Sequence, residues 1–431
     1  MQLYFPKNIN LRKFGDVSFK IGIVLLPSAI SIAGLFLLFS SLIGIYISKE
    51  NLIKDKWNIA TFISIIFLLI ICIFQNTSIN LPVKNYYALN WIGLLNWIPL
   101  FLLFWGSQSY LNYEKERKNI GLLLIVGSFP VLISGFGQYF LNWTGPFSTL
   151  NGLIVWFVKP IIPDSENASL SGLFPNPNYM GCWLTILWPF TVVTFLDRTK
   201  NIFKKSISTF FVISVLISIL LTASRNAYGG LLLAIPLLVG RNSLFFLIPI
   251  TFLTFFVSSS NFVIGNPHLS ENYALNSILS KINRLREIGN DPRINIWINT
   301  LIMISQKPIL GWGAGTFGIV YSMKFLSEAN HAHNLFLELS YNYGLIVSIF
   351  IFSIIISLIS LSFIKVFYKT NQDNLLNIKN NLYEKAWWTS FFILFASQLI
   401  DVQYYDGKIS IIFWILLAGI INIMKESKSE Y

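Results

Sequence analysis

Apolar runs long enough to cross a bilayer recur along the whole chain, separated by short polar stretches that are mostly basic. Crossing the hydrocarbon core takes roughly 20 apolar residues in a helix. "TFISIIFLLIICIF" and "LIVSIFIFSIIISLISLSFI" show the pattern most plainly. Apolar segments fall near residues 21–47, 57–75, 88–106, 119–140, 178–196, 206–223, 226–240, 242–258, 335–364, 386–400 and 409–424. In hydrocarbon every backbone polar group needs an internal partner, so these runs are predicted to be helices. Short cytoplasmic loops attract Lys and Arg, which assigns the basic stretches 107–118, 197–205, 365–385 and the C-terminal tail to the cytoplasm. The N-terminus and 48–56 are basic too, and they reach the same side only if 21–47 is a hairpin of two short passes. Pro27, Gly34 and the Ser40–Ser41 pair are the places for its bend. The layout predicts about twelve spans, both termini cytoplasmic, and two long outer segments, 141–177 and 259–334. No internal repeat or low-complexity linker divides the chain, so 1–431 is read as one polytopic all-α membrane domain with 259–334 as its large outer loop.

Composition supports the membrane as solvent. The chain is 54% hydrophobic and 12% charged, against roughly 25% charged in a soluble domain, and its mean hydropathy is +0.63. A net charge of +12 would suggest nucleic acid in a soluble protein. Here the charge sits in loops and follows orientation, so no nucleic-acid partner is expected. Cys72 and Cys182 both lie inside apolar runs with no Cys/His pattern nearby, and read as core residues rather than a metal site or a disulfide. The first twenty residues lack the pattern of a cleaved signal peptide, and the first apolar segments are expected to act as uncleaved anchors.

The chemistry collects on the outer side. All three histidines, His268, His331 and His333, fall in 259–334. Within it "RINIWINTLIMISQ" has apolar residues at helical spacing and stops at Lys307–Pro308. The helix is either a cap on the bundle or a lid over an anionic substrate held by arginine forks. "GWGAGTFG" at 311–318 lacks the βαβ setting of a nucleotide loop, and reads as a tight turn whose backbone N–H groups approach a ligand. Arg225 stands in a turn between two spans, either snorkelling to the interface or meeting an anion. Asn178 is expected to cap the helix that follows Pro177, with a sugar hydroxyl as its alternative partner. A histidine suits proton removal from an attacking hydroxyl near neutral pH; its other reading is a cap on the helix that begins at 335. His331 and His333, two apart, would not share a helix face and do not suggest a metal site. Glu338 is about 140° round a helix from His333 and is not expected to pair with it.

Three stretches, in this order, resemble the O-antigen ligase and polymerase family of bacterial envelope glycosyltransferases. "SRNAYGG" at 224–230 resembles the family's Ser/Thr-Arg turn between two spans. Residues 293–317 are similar to its Arg–x3–Trp helix leading to Pro–x2–Gly–x–Gly, here Arg293, Trp297, Pro308, Gly311 and Gly313. "HNLFLELSYNYG" is similar to its His-Asn with a Gly eleven residues on, here His333, Asn334 and Gly344. The "NPN" of Asn176 to Asn178 is also similar, and the resemblance spans roughly 170–365. Asn226, Tyr228 and Val347 depart from the family's usual residues, which bears on ligase against polymerase.

The resemblance implies an all-helical C-type glycosyltransferase of the bacterial inner membrane. It would move a glycan from undecaprenyl diphosphate to an acceptor hydroxyl at the periplasmic face, with no metal and no cofactor. A ligase in lipopolysaccharide biosynthesis uses a lipid A–core acceptor, and a polymerase uses another lipid-linked repeat unit. Protein O-glycosylation and a bicarbonate-type transporter are the other readings, the latter calling for charged residues at mid-span. For the transferase, His333 is the expected base. Arg225 and Arg293 would bind the diphosphate, and His331, Asn334 and Asn178 would line the substrate.

Overall fold

The structure is a computed structural model that describes residues 7–78, 83, 85–143, 145, 147–151, 154–156, 169–197, 201–240, 292–368 and 381–426. The expected span at 242–258, and His268 with the loop residues up to 291, lie outside these. The described chain is all-α apart from one hairpin, Phe147–Thr149 against Ile154–Trp156, with Ser148 opposite Val155. Eight helical stretches among the described residues are long and apolar enough to cross a membrane.

The 21–47 segment is two helices, α1 (Lys7–Leu25) and α2 (Ile30–Lys54), as the charge pattern requires. The bend is at Pro27, where the missing N–H and the ring end a helix. Gly34, Ser40 and Ser41 lie inside α2, and both serine hydroxyls donate to the Leu37 carbonyl. Of the two, α2 is long and apolar enough to cross a membrane, whereas α1 begins at Lys7 and carries Arg12, Lys13, Asp16 and Lys20, so it is not among the eight.

The order continues with α3 (Lys56–Ser78), α4 (Tyr86–Gly93), α5 (Ile98–Ser107), α6 (Glu114–Gly127), α7 (Phe129–Phe140), α8 (Pro177–Leu196), α9 (Ile202–Leu221) and α10 (Arg225–Val239). Then come α11 (Pro292–Gln306), α12 (Phe317–Phe325), α13 (Leu335–Tyr343), α14 (Leu345–Phe363), α15 (Leu382–Gln398) and α16 (Gly407–Lys425). α16 is the axle of the bundle, with nearly every residue from Lys408 to Ile423 buried. Small residues let helices approach closely: a Cβ on Gly44 of α2 would strike the backbone of Gly106 in α5.

The span expected over 335–364 is broken at Gly344. Its φ of +85° suits glycine, and an added Cβ would run into the Ile309 carbonyl. The glycine turn 311–315 fills the break. Trp312 N donates to Tyr341 O at 2.7 Å, Gly313 N to Asn342 O at 3.2 Å, and Leu345 N to Pro308 O at 2.8 Å. The Trp312 and Gly313 N–H groups therefore serve the end of α13 rather than a ligand, which corrects the sequence reading for those two. A second apolar cluster, including Met303, Ile304, Trp312, Phe317, Tyr321 and Tyr341, fastens α11 and α12 over α13.

Candidate active site

Four helix ends meet at one buried carboxylate. Asp401 lies in the turn between α15 and α16 and is 6% exposed. Its Oδ1 accepts from Val402 N at 3.1 Å and lies 2.9 Å from His333 Nδ1. Its Oδ2 accepts from Gln403 Nε2 at 3.3 Å and from Asn178 Nδ2 at 3.4 Å, and lies 3.6 Å from an Arg293 guanidinium nitrogen. The turn before α13, the N-terminus of α8 and the start of α11 are thus held to a group absent from the sequence-derived site. Burial alone would raise the Asp401 carboxyl. The His333 hydrogen bond and the Arg293 charge outweigh it and hold the carboxyl below its ordinary range. An ionised Asp401 accepts only, so Nδ1 of His333 carries a proton, and in the neutral ring the lone pair is then on Nε2.

The local chain is shaped for this. His333 has φ +50°, an uncommon conformation for a side-chain-bearing residue. His331 Nδ1 accepts the His333 backbone N–H at 3.3 Å, with the two rings 4.1 Å apart. Burial, then the neighbouring His333, lower the His331 imidazole to about 4 against the opposing pull of Asp401, with Arg293 adding a smaller push down. Between them, Ala332 N donates to Glu338 Oε2 at 2.8 Å. Glu338 therefore steadies the loop from behind, and Asp401 takes the paired carboxylate's place.

Asn334, rather than a histidine, caps α13: its side chain accepts from Leu337 N at 3.1 Å and donates to Leu399 O at 2.8 Å. Asn176, rather than Asn178, caps α8, accepting from Asn178 N at 2.8 Å with Pro177 in the first turn. That frees the Asn178 amide for Asp401. Ser224 caps α10 and sets Arg225 as its exposed first residue. The neighbouring Asn226 donates to Ser397 Oγ at 2.7 Å, Ser397 donates to Gln403 at 3.0 Å, and Gln403 reaches Asp401. A hydrogen-bond chain thus joins the Arg225 turn to the pair.

His331, His333 and Asp401 put ligand atoms within 4.8 Å of one another, a set that sequence spacing did not suggest. Arg293 brings a fixed cation to the same carboxylate, which competes with a metal ion. Asp401 left one readable signal. It is an acid in a short turn, "LIDVQYYDG", between two apolar runs.

A comparison with curated proteins finds no match. One family model, described as O-antigen ligase, matches residues 210–352, from within α9 to within α14. The matched stretch holds Arg225, Arg293, His331, His333 and Asn334 and ends before Asp401. The chain thus has several helices long and apolar enough to cross a membrane and, over residues 210–352, is similar to the O-antigen ligase family, an enzyme family that in general joins a glycan on a lipid-linked donor to an acceptor.

Proposed function

We propose that this chain transfers a glycan from undecaprenyl diphosphate to an acceptor hydroxyl, as an O-antigen ligase of lipopolysaccharide biosynthesis at the periplasmic face of the inner membrane. The His333–Asp401 hydrogen bond carries the reading. An acceptor oxygen attacks the anomeric carbon, the bond from that carbon to the phosphate oxygen breaks, and the diphosphate leaves with the electron pair. His333 Nε2 takes the acceptor proton. Asp401 holds the ring in the right tautomer and offsets the imidazolium charge that forms. Arg225 and Arg293 offer forks that match phosphate oxygens and neutralise the leaving group. Asn178 and His331 line the same end. Asn334 is the anchor that fixes where His333 sits. Arginine charge serves in place of a metal. All-helical architecture supports the C-type glycosyltransferase reading, with 1–431 as one domain and 259–334 contributing Arg293 and the histidines.

A transporter would carry charge at mid-span. Instead, Arg117 with Glu384 and Glu426, and Lys408 beside Asp406, sit in the terminal turns of their helices. The test is reconstitution in proteoliposomes with undecaprenyl-diphosphate glycan and lipid A–core. Long-chain lipopolysaccharide should form. Product chains that lengthen on the lipid carrier, without lipid A–core capture, would mean polymerase instead.

A further inference from the structure

The far end of the bundle holds a second polar cleft. α16 has 19 residues, so at 1.5 Å per residue Lys425 lies roughly 27 Å from the Asp401 turn. Around it a cleft of about 570 Å³ opens between α1, α2, α3 and α16, within the roughly 300–1,000 Å³ of small-ligand sites. Its cations are Arg12, Lys54 and Lys425, and its one acid is Asp55.

That acid is already occupied. Asp55 Oδ1 accepts from Trp57 N and Asn58 N, each at 3.0 Å, and caps α3, while Oδ2 pairs with Lys425 at 2.9 Å. Arg12 makes only long contacts, 3.4 Å to the Ser109 carbonyl and 3.4 Å to Glu116. Lys54 has no ion-pair partner among the described residues. The floor is a buried amide pair, with Asn58 Nδ2 donating to Gln108 Oε1 at 3.2 Å and Gln108 Nε2 to Asn58 Oδ1 at 2.8 Å. A helix junction that needed only packing would close on apolar side chains. This one keeps a polar floor under excess positive charge.

One wall is apolar. Ile47 and Leu52 line the cleft, and beside them Leu42, Tyr46 and Ile53 of α2 are exposed along the bundle's outside. A ligand with an anionic head and hydrocarbon tails matches both surfaces at once. We propose that this cleft binds the phosphate ester of an anionic lipid, with the headgroup against Arg12 and Lys54 and the acyl chains along α2. Basic pockets between spans recognise such headgroups through charge and arginine's paired donors. The shared chemistry is an organic phosphate. The apolar wall favours the lipid over a soluble ester.

The test uses the full chain in zwitterionic nanodiscs, titrated with phosphatidylglycerol, phosphatidylcholine or glycerol 3-phosphate and read by native mass spectrometry and unfolding temperature. Phosphatidylglycerol should be retained and phosphatidylcholine should not. Arg12→Gln with Lys54→Gln should weaken retention roughly fivefold per cation, while Lys204→Gln with Lys205→Gln, on the exposed start of α9, should not. Lys54→Gln alone changes only an exposed side chain and serves if the double variant unfolds early. Glycerol 3-phosphate binding without lipid retention would move the site to a soluble phosphate. Equal phosphatidylglycerol retention by wild type and both cleft variants overturns the proposal.

Discussion

Asp401 lies 68 residues beyond His333 in the chain and 2.9 Å from its Nδ1 in the structure. A carboxylate at that nitrogen fixes the imidazole tautomer and favours the protonated ring as it forms. The consequence for transfer is direct. Asp401→Asn keeps the shape and loses the charge, so the rate should fall roughly 10²–10⁴-fold. Glycan transfer in proteoliposomes measures it, and a variant within threefold of wild type would remove the pair from the mechanism.

His333→Ala should abolish most transfer, again roughly 10²–10⁴-fold, with protein level and donor binding kept. His331→Ala should cost less, since its recorded contact is to a backbone N–H rather than to Asp401. Full complementation of a deletion strain by His333→Ala, at native expression, would leave His333 a turn residue only.

Arg225→Lys and Arg293→Lys retain charge but lose the fork. Each should reduce transfer by roughly 10²-fold if it stabilises the departing diphosphate. Near-normal rates in both would make the arginines interfacial anchors.

The His331 imidazole is held down at about 4 in the fold, against roughly 6.5 in an unfolded chain. Between those values the unfolded chain binds a proton that the fold does not. Stability from this site is therefore complete above about pH 6.5 and is lost as pH falls toward about 4. The unfolding temperature of His331→Gln should fall less than that of wild type between pH 6.5 and 4.5. Parallel curves would show that His331 titrates alike in both states.

Gly344→Ala places a Cβ against the Ile309 carbonyl at a φ of +85°. The strain should cost at least about 1–3 kcal/mol, seen as an earlier thermal transition. An unchanged transition would mean that the break at Gly344 is soft enough to absorb the side chain.

The sequence by itself determined the solvent and the helices. Runs of apolar residues must be helical in hydrocarbon, and the basic loops called for a break within 21–47, which Pro27 supplies. It also brought Arg225, Arg293 and His333 forward, because charged and titratable groups are costly among apolar spans and stand out there. Only the tertiary structure decided what those residues touch. A helical span such as 335–364 reads as continuous because its break at Gly344 is stabilised from the 308–313 turn, by the Trp312 and Gly313 N–H groups and the Pro308 carbonyl, which no local pattern encodes. Asn176 and Asn178 are both plausible caps in sequence, and backbone conformation chose the first. Asp401 stayed hidden for the same reason. Its meaning lies in the convergence of α8, α11, α13 and α15 on one turn, and a carboxylate 68 residues from its histidine acquires a role only when packing removes the water between them.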